Sequence, residues 1–193
     1  MIGGCHDTDR PVSRNRAALT IALAGNPNCG KSALFNAFTG IRQKTGNWPG
    51  VTVDRKEGRF ELEGRVVAAI DLPGIYSLDA SSLDEEITRD YLLSRDADLV
   101  INVVDAANLE RNLYLTVQLL EMGVPVVLAL NMMDVARKRG IQIDTELLSQ
   151  RLGCPVTPMV AISGEGTTEL KTRILAVADG LEQNDFALTV KVT

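Results

Sequence analysis

Aromatic side chains are scarce in this chain of 193 residues, at 4%, and histidine occurs once, as His6. One histidine cannot build a histidine-rich metal centre, so no iron site is expected in the chain. Cysteine occurs three times, as Cys5, Cys29 and Cys154. The odd number and wide spacing give no disulfide framework and no CxxC pair, which suits a reducing cytosol. Cys5 and His6 are neighbours in a polar amino-terminal stretch, but two ligands fall short of a closed metal site, and the stretch lacks the apolar core of a signal peptide. Long hydrophobic runs are missing too: residues 99–104 and 124–130 are far too short to cross a bilayer as helices. Basic charge is in deficit, with 20 Lys and Arg against 25 Asp and Glu. No cationic stripe is available for a phosphodiester backbone, and nucleic acid is not an expected partner.

What is present is an ordinary globular composition, 45% hydrophobic and 23% charged, in a length that suits one α/β domain. Residues 19–24 form an apolar run ending in glycine, the pattern of a strand buried on both faces, and a helical stretch follows at 31–39. Residues 60–62 and 66–70 flank a Glu63-Gly64-Arg65 turn and predict a hairpin that places one antiparallel strand in the sheet. Strand-like runs at 99–104, 124–130 and 155–160 then alternate with amphipathic stretches at 109–122, 144–152 and 168–181. The expectation is an α/β fold with a mostly parallel six-stranded sheet and helices on both faces. Residues 1–17 read as a polar tail, 18–181 as the domain, and 182–193, which show no clear period, as a second tail.

Gly25-Asn26-Pro27-Asn28-Cys29-Gly30-Lys31-Ser32 matches GxxxxGK[ST] in the context that motif requires, between the first strand and the first helix. Backbone N–H groups from Gly25 to Ala33 can converge on a β-phosphate there. Lys31 would bridge the β- and γ-phosphates, and Ser32 would offer a hydroxyl to magnesium. The alternative is a glycine-rich turn without a ligand, which Lys31 and Ser32 disfavour.

Asp71-Leu-Pro-Gly74 ends the next strand and sets a carboxylate where it can hold the hydration shell of magnesium. Gly74 could give its N–H to a γ-phosphate and hinge the loop when that phosphate leaves. Between the two motifs, residues 45–53 are glycine-rich, carry the only tryptophan, Trp48, and read as a mobile loop. Thr52, with Gly50 and Val51, is the candidate to close over magnesium and the γ-phosphate. Trp48 is either a buried anchor or an exposed ring near the nucleotide.

Asn131-Met132-Met133-Asp134 follows a buried strand. Asp134 can accept two hydrogen bonds from N1–H and the amine of guanine, which adenine cannot supply. Asn131 would tie this loop to the phosphate loop. A final contact from backbone N–H to the guanine oxygen would fall at Ala161 or Ile162, with the register open.

Together the stretches GNPNCGKSALFNAFTG, GNWPGVTVDRKEG, DLPGIYSL and NMMD resemble the GTPase domain of the FeoB ferrous iron transporters, over residues 19–181. The resemblance implies a Ras-like P-loop GTPase fold, GTP hydrolysis with magnesium, a place on the cytoplasmic side of an inner membrane, and a membrane-embedded permease portion of the same full-length protein as partner. The helical domain that the family carries next has no room in 182–193. Ile75 stands where Ras-like enzymes place a water-orienting glutamine, and no arginine occupies a finger position. The resemblance therefore implies a potassium ion, held by Asn28 and by loop carbonyls of residues 46–50, with Asn28, Lys31, Thr52 and Gly74 forming the catalytic set. Asn28 could instead only brace its loop. Glu85 and Glu86 either orient water indirectly or simply begin a helix. The rival readings are a guanine-nucleotide module without turnover, a ribosome-assembly GTPase and an ATPase.

Overall fold

A computed structural model describes residues 19–40 and 43–180. The Cys5–His6 pair, the proposed tails and both expected domain limits lie outside these residues. Among the described residues seven strands form one sheet: β1 Leu19–Gly25, β2 Gln43–Asn47, β3 Asp54–Leu62, β4 Arg65–Asp71, β5 Leu99–Asp105, β6 Val126–Asn131 and β7 Val156–Pro158. Their order is β2-β3-β4-β1-β5-β6-β7. β3 pairs antiparallel with both β2 and β4, while β4, β1, β5, β6 and β7 pair in parallel. β3 is thus the one strand that runs against the others, as the hairpin pattern predicts. Glu63 and Gly64 close that hairpin, both with positive φ. The sheet has one strand more than the six expected, because residues 43–47 pair along the outer edge of β3. Their exposed, polar sequence carries no strand signal of its own.

Helices α1 Lys31–Thr39, α2 Leu83–Ser94, α3 Leu109–Glu121, α4 Met133–Lys138, α5 Thr145–Leu152 and α6 Thr167–Ala178 complete the fold. One apolar layer joins Ile21, Leu23, Val67, Ile101 and Val127 to Leu34, Phe35 and Phe38 of α1 and Leu170 and Ile174 of α6. On the opposite face, Ala22, Ile70 and Val100 meet Tyr91 and Leu92 of α2 and Leu115 and Leu119 of α3. Alternation along each strand sends successive side chains into these two layers. No described helix is long and apolar enough to cross a membrane.

After β1 the chain fills one side of the sheet with β2, β3 and β4, then crosses to β5 on the other side. The carboxyl ends of β1 and β5 therefore flank a topological switch point, the crevice where open α/β sheets take ligands. The loop after β1 is the phosphate-loop motif, and the DLPG and NMMD motifs leave the same edge of the sheet from β4 and β6.

The α1–β3 contact has no slack. A Cβ added at Gly58 would lie 2.3 Å from Cγ2 of Thr39, a buried residue whose hydroxyl donates to the Phe35 carbonyl at 2.7 Å. Gly58→Ala should cost about 2 kcal/mol, as overpacking does. Thermal unfolding should show a midpoint lowered by roughly 4–8 °C, with part of the loss recovered by adding Thr39→Ala.

Candidate functional site

The loop between β1 and α1 turns twice through left-handed backbone, at Asn28 (φ 65°) and at Gly30 (φ 91°), the N-cap of α1. Asparagine is among the few side chains that accept this conformation readily. Gly30 has a second reason to lack a side chain, since a Cβ there would come within 2.2 Å of Asn131 Nδ2.

Asn131 is the centre of the arrangement. It is 3% exposed at the end of β6. Its Nδ2 donates to the Cys29 carbonyl at 2.8 Å, and its Oδ1 accepts from the Ala161 N–H at 2.9 Å. One amide thus joins three loops, from β1, β6 and β7. The Cys29 side chain is buried inside the loop, and desolvation pushes its thiol up to about 11. Cys29 can therefore reach a ligand only through its backbone.

Lys31 and Asp71 meet across the cleft. Lys31 Nζ donates to Asp71 Oδ1 at 2.5 Å, with both side chains largely buried. This pairs the residue expected on phosphate oxygens with the one expected on the magnesium shell. Ser32, in the first turn of α1, is exposed beside them. A cavity of about 490 Å3 opens over this loop, lined by Asn26, Asn28, Gly30, Lys31, Ser32, Ala33 and Gly74, a volume that suits a small ligand. Asn26 Nδ2 is buried without a hydrogen-bond partner. An orphaned donor of this kind invites an acceptor that is not part of the described chain.

After Asp71 the chain stays close to the phosphate loop. The Ile75 N–H donates to the Gly25 carbonyl at 3.2 Å, and Ile75 is 2% exposed. The position taken by glutamine in Ras-like enzymes is thus consumed by the core. Glu85 is a helix cap. Ser82 caps α2 by accepting from its N–H, and its carboxylate accepts from the Ser81 and Ser77 hydroxyls and the Ser81 N–H. The Ser81 hydroxyl above all holds its carboxyl below the usual range. Glu86 is exposed.

Thr52, Gly50 and Val51 are not gathered into the cleft. They lie in the loop between β2 and β3, with Thr52 exposed and without a hydrogen bond to the phosphate loop among the described residues. Gly46 pairs with Arg55 in the β2–β3 ladder, and the Trp48 carbonyl accepts from Val51 N–H at 3.2 Å. Trp48 is buried, at 6% exposure. Met132, the N-cap of α4, has φ 61° and approaches Gly30. Asp134 follows in the first turn of α4, with Lys138 Nζ at 4.0 Å. Ala161 commits its N–H to Asn131, whereas Ile162 is 90% exposed. Asn131→Ala would orphan a buried carbonyl and a buried N–H, costing roughly 2–4 kcal/mol. Urea unfolding should show a lower midpoint with an unchanged slope.

Known proteins share this sequence pattern and fold. A family model for ferrous iron transport protein B matches residues 19–174. The Fe(2+) transporter FeoB of Salmonella typhimurium is 59% identical over 160 residues, which cover 81% of this chain and 21% of that protein. The chain spans about a fifth of the length of the curated relatives it matches. The cytosolic domain of the T. maritima FeoB iron transporter in its GMPPNP form aligns with a TM-score of 0.81 at 52% identity, over 83% of this chain and 64% of that one. The G domain of the T. maritima transporter alone gives 0.79 at 51% identity, over 83% of this chain and 98% of that one. With the match running through every loop of the site, the chain belongs to the ferrous iron transport protein B family, in the part represented by its G domain.

Proposed function

We propose that this domain, residues 18–181, binds GTP with magnesium and hydrolyses it slowly, as the switch of a ferrous iron transporter whose membrane-embedded permease portion lies in the rest of a longer protein. The observation that carries the reading is the Asn131 amide, which gathers the phosphate loop, the NMMD loop and the Ala161 loop at one sheet edge. The cytosolic domain of the T. maritima FeoB iron transporter has been solved in a GDP form and in a GMPPNP form, which supports a guanine nucleotide here.

In this reading Lys31 leaves Asp71 for the β- and γ-phosphate oxygens, while backbone N–H groups between Gly25 and Ala33, apart from Pro27, which has none, line the phosphates. The oxygen donors Ser32 and Asp71 suit magnesium, a hard cation, and Thr52 would join them from its loop. Magnesium, when bound, would neutralise charge on the phosphates. Gly74 would offer its N–H to the γ-phosphate. Asp134 would accept from N1–H and the amine of guanine, and the N–H of Ile162 rather than that of Ala161 would meet the guanine oxygen. Since Ile75 is buried, no side chain at that position can orient water. Among the described residues no arginine lines the cleft, and the positive charge is assigned to potassium held by Asn28, whose exposed side chain borders it.

The test is GTP hydrolysis with magnesium, run in potassium and in sodium. Turnover should be faster in potassium, and Asn28→Ala should remove the difference. Equal rates in both salts for the unsubstituted domain would refute the potassium assignment, and phosphate release no faster than in buffer would leave a binding module without turnover. Asp134→Ala should erase the preference for GTP over ATP in a competition assay, a loss of about 1–3 kcal/mol of discrimination for the unpaired base edge; an unchanged preference would put base recognition elsewhere.

A further inference from the structure

Trp48 occupies a socket built from two other parts of the chain. Its indole meets the Tyr91 ring of α2 edge-on, with centroids 5.4 Å apart at 71°. The Arg55 guanidinium of β3 lies 4.7 Å from the indole centroid and is braced by Glu57 at 2.5 Å. Val51, Val53 and Ile87 pack on the same cluster. The backbone repeats the connection, because Trp48 N–H donates to the Val53 carbonyl at 2.9 Å and residues 43–47 pair with 54–58. The whole segment 43–53 is thus folded along the sheet edge and pinned at its tip by one side chain.

The socket is not fully satisfied. Trp48 Nε1 and Arg55 Nε are buried without hydrogen-bond partners, and a cavity of about 280 Å3 borders the indole between Pro49, Tyr91 and Asp90. Buried unpaired donors reduce the stability of the docked state. Apolar burial and the cation–π contact oppose that loss, so the segment sits in a state that modest forces can reverse.

We propose that Trp48 is a latch: seated on Tyr91 and Arg55, it holds residues 43–53 on the sheet edge, and the segment delivers Thr52 to the nucleotide only once the indole leaves this socket. The inference rests on reading Thr52 as a γ-phosphate-dependent ligand. It follows that GDP, which makes no demand on Thr52, leaves the latch seated, whereas a triphosphate must draw the segment from it. Apparent triphosphate affinity is then reduced by the fraction of molecules whose latch is seated.

The only tryptophan of the chain reports the event directly. With magnesium and GMPPNP, Trp48 emission should shift to the red as the indole enters water, and with GDP it should not. Arg55→Ala and Tyr91→Ala should each tighten GMPPNP binding by roughly three- to tenfold in calorimetry, with GDP affinity unchanged, while Tyr91→Phe, which keeps the ring, should match the unsubstituted protein. Arg55 is partly exposed, so its variant serves if Tyr91→Ala does not fold. If both nucleotides bind with the same emission and the variants leave the GMPPNP-to-GDP ratio unchanged, the latch is wrong and the nucleotide reading stands. If neither nucleotide binds, both are wrong together.

Discussion

The site depends on one buried side-chain amide. Loops cannot hold one another by apolar packing when their task is to present polar groups to a ligand, so their relative positions must be fixed by hydrogen bonds. Asn131 provides a donor and an acceptor on the same rigid group, pointing in opposite directions. The phosphate loop hangs on one side and the loop of Ala161 on the other. A hydroxyl also donates and accepts without charge, but from a single atom, whereas the amide separates its donor from its acceptor. The absent side chain at Gly30 and the left-handed backbone at Asn28 are the local adjustments that let the loop approach this amide.

A second constraint is electrostatic. An ammonium and a carboxylate buried without partners would each lose several kcal/mol of hydration. Lys31 and Asp71 avoid this by pairing. The pair keeps the cleft neutral and folded, and it stores the two groups that a metal–triphosphate complex would need on opposite signs of its own charge. Under the proposed function, exchange of partners, rather than exposure of new charge, would be the electrostatic event of binding. The loop after Asp71 is held by backbone bonds to β1 and its loop, and the one carrying Thr52 by backbone bonds within the β2–β3 hairpin together with an aromatic contact with α2.

Most of this was legible in the sequence because it is local. The apolar runs, the phosphate-loop pattern, the DLPG and NMMD stretches and the Glu63–Gly64 turn each carry their signal within a few residues, and α1 spans residues 31–39 as its pattern predicts. Most of the missed elements need distant partners, α2 being the exception. Gln43–Asn47 is polar and becomes a strand only because β3 offers an open edge. α2 is marked by a cap box, Ser82 with Glu85, that a search for apolar periodicity passes over. The burial of Trp48 depends on Tyr91, 43 residues away, and β7 is shorter than its apolar run because only Val156–Pro158 finds a partner in β6. The choice between Ala161 and Ile162 turns on which N–H the Asn131 oxygen takes, which no local pattern encodes.

The two borders of the sheet differ from its interior in a way that bears on solubility. An open border is a template on which another chain can extend the ladder, and long, flat, apolar borders invite fibres. Among the described residues one border is β2, five residues of Gln-Lys-Thr-Gly-Asn, and the other is β7, three residues ending in proline. A lysine and a residue without an N–H stand where an intruding strand would have to bond. The sheet is thereby kept finite, and its strongly apolar central strands can pack without recruiting a neighbour.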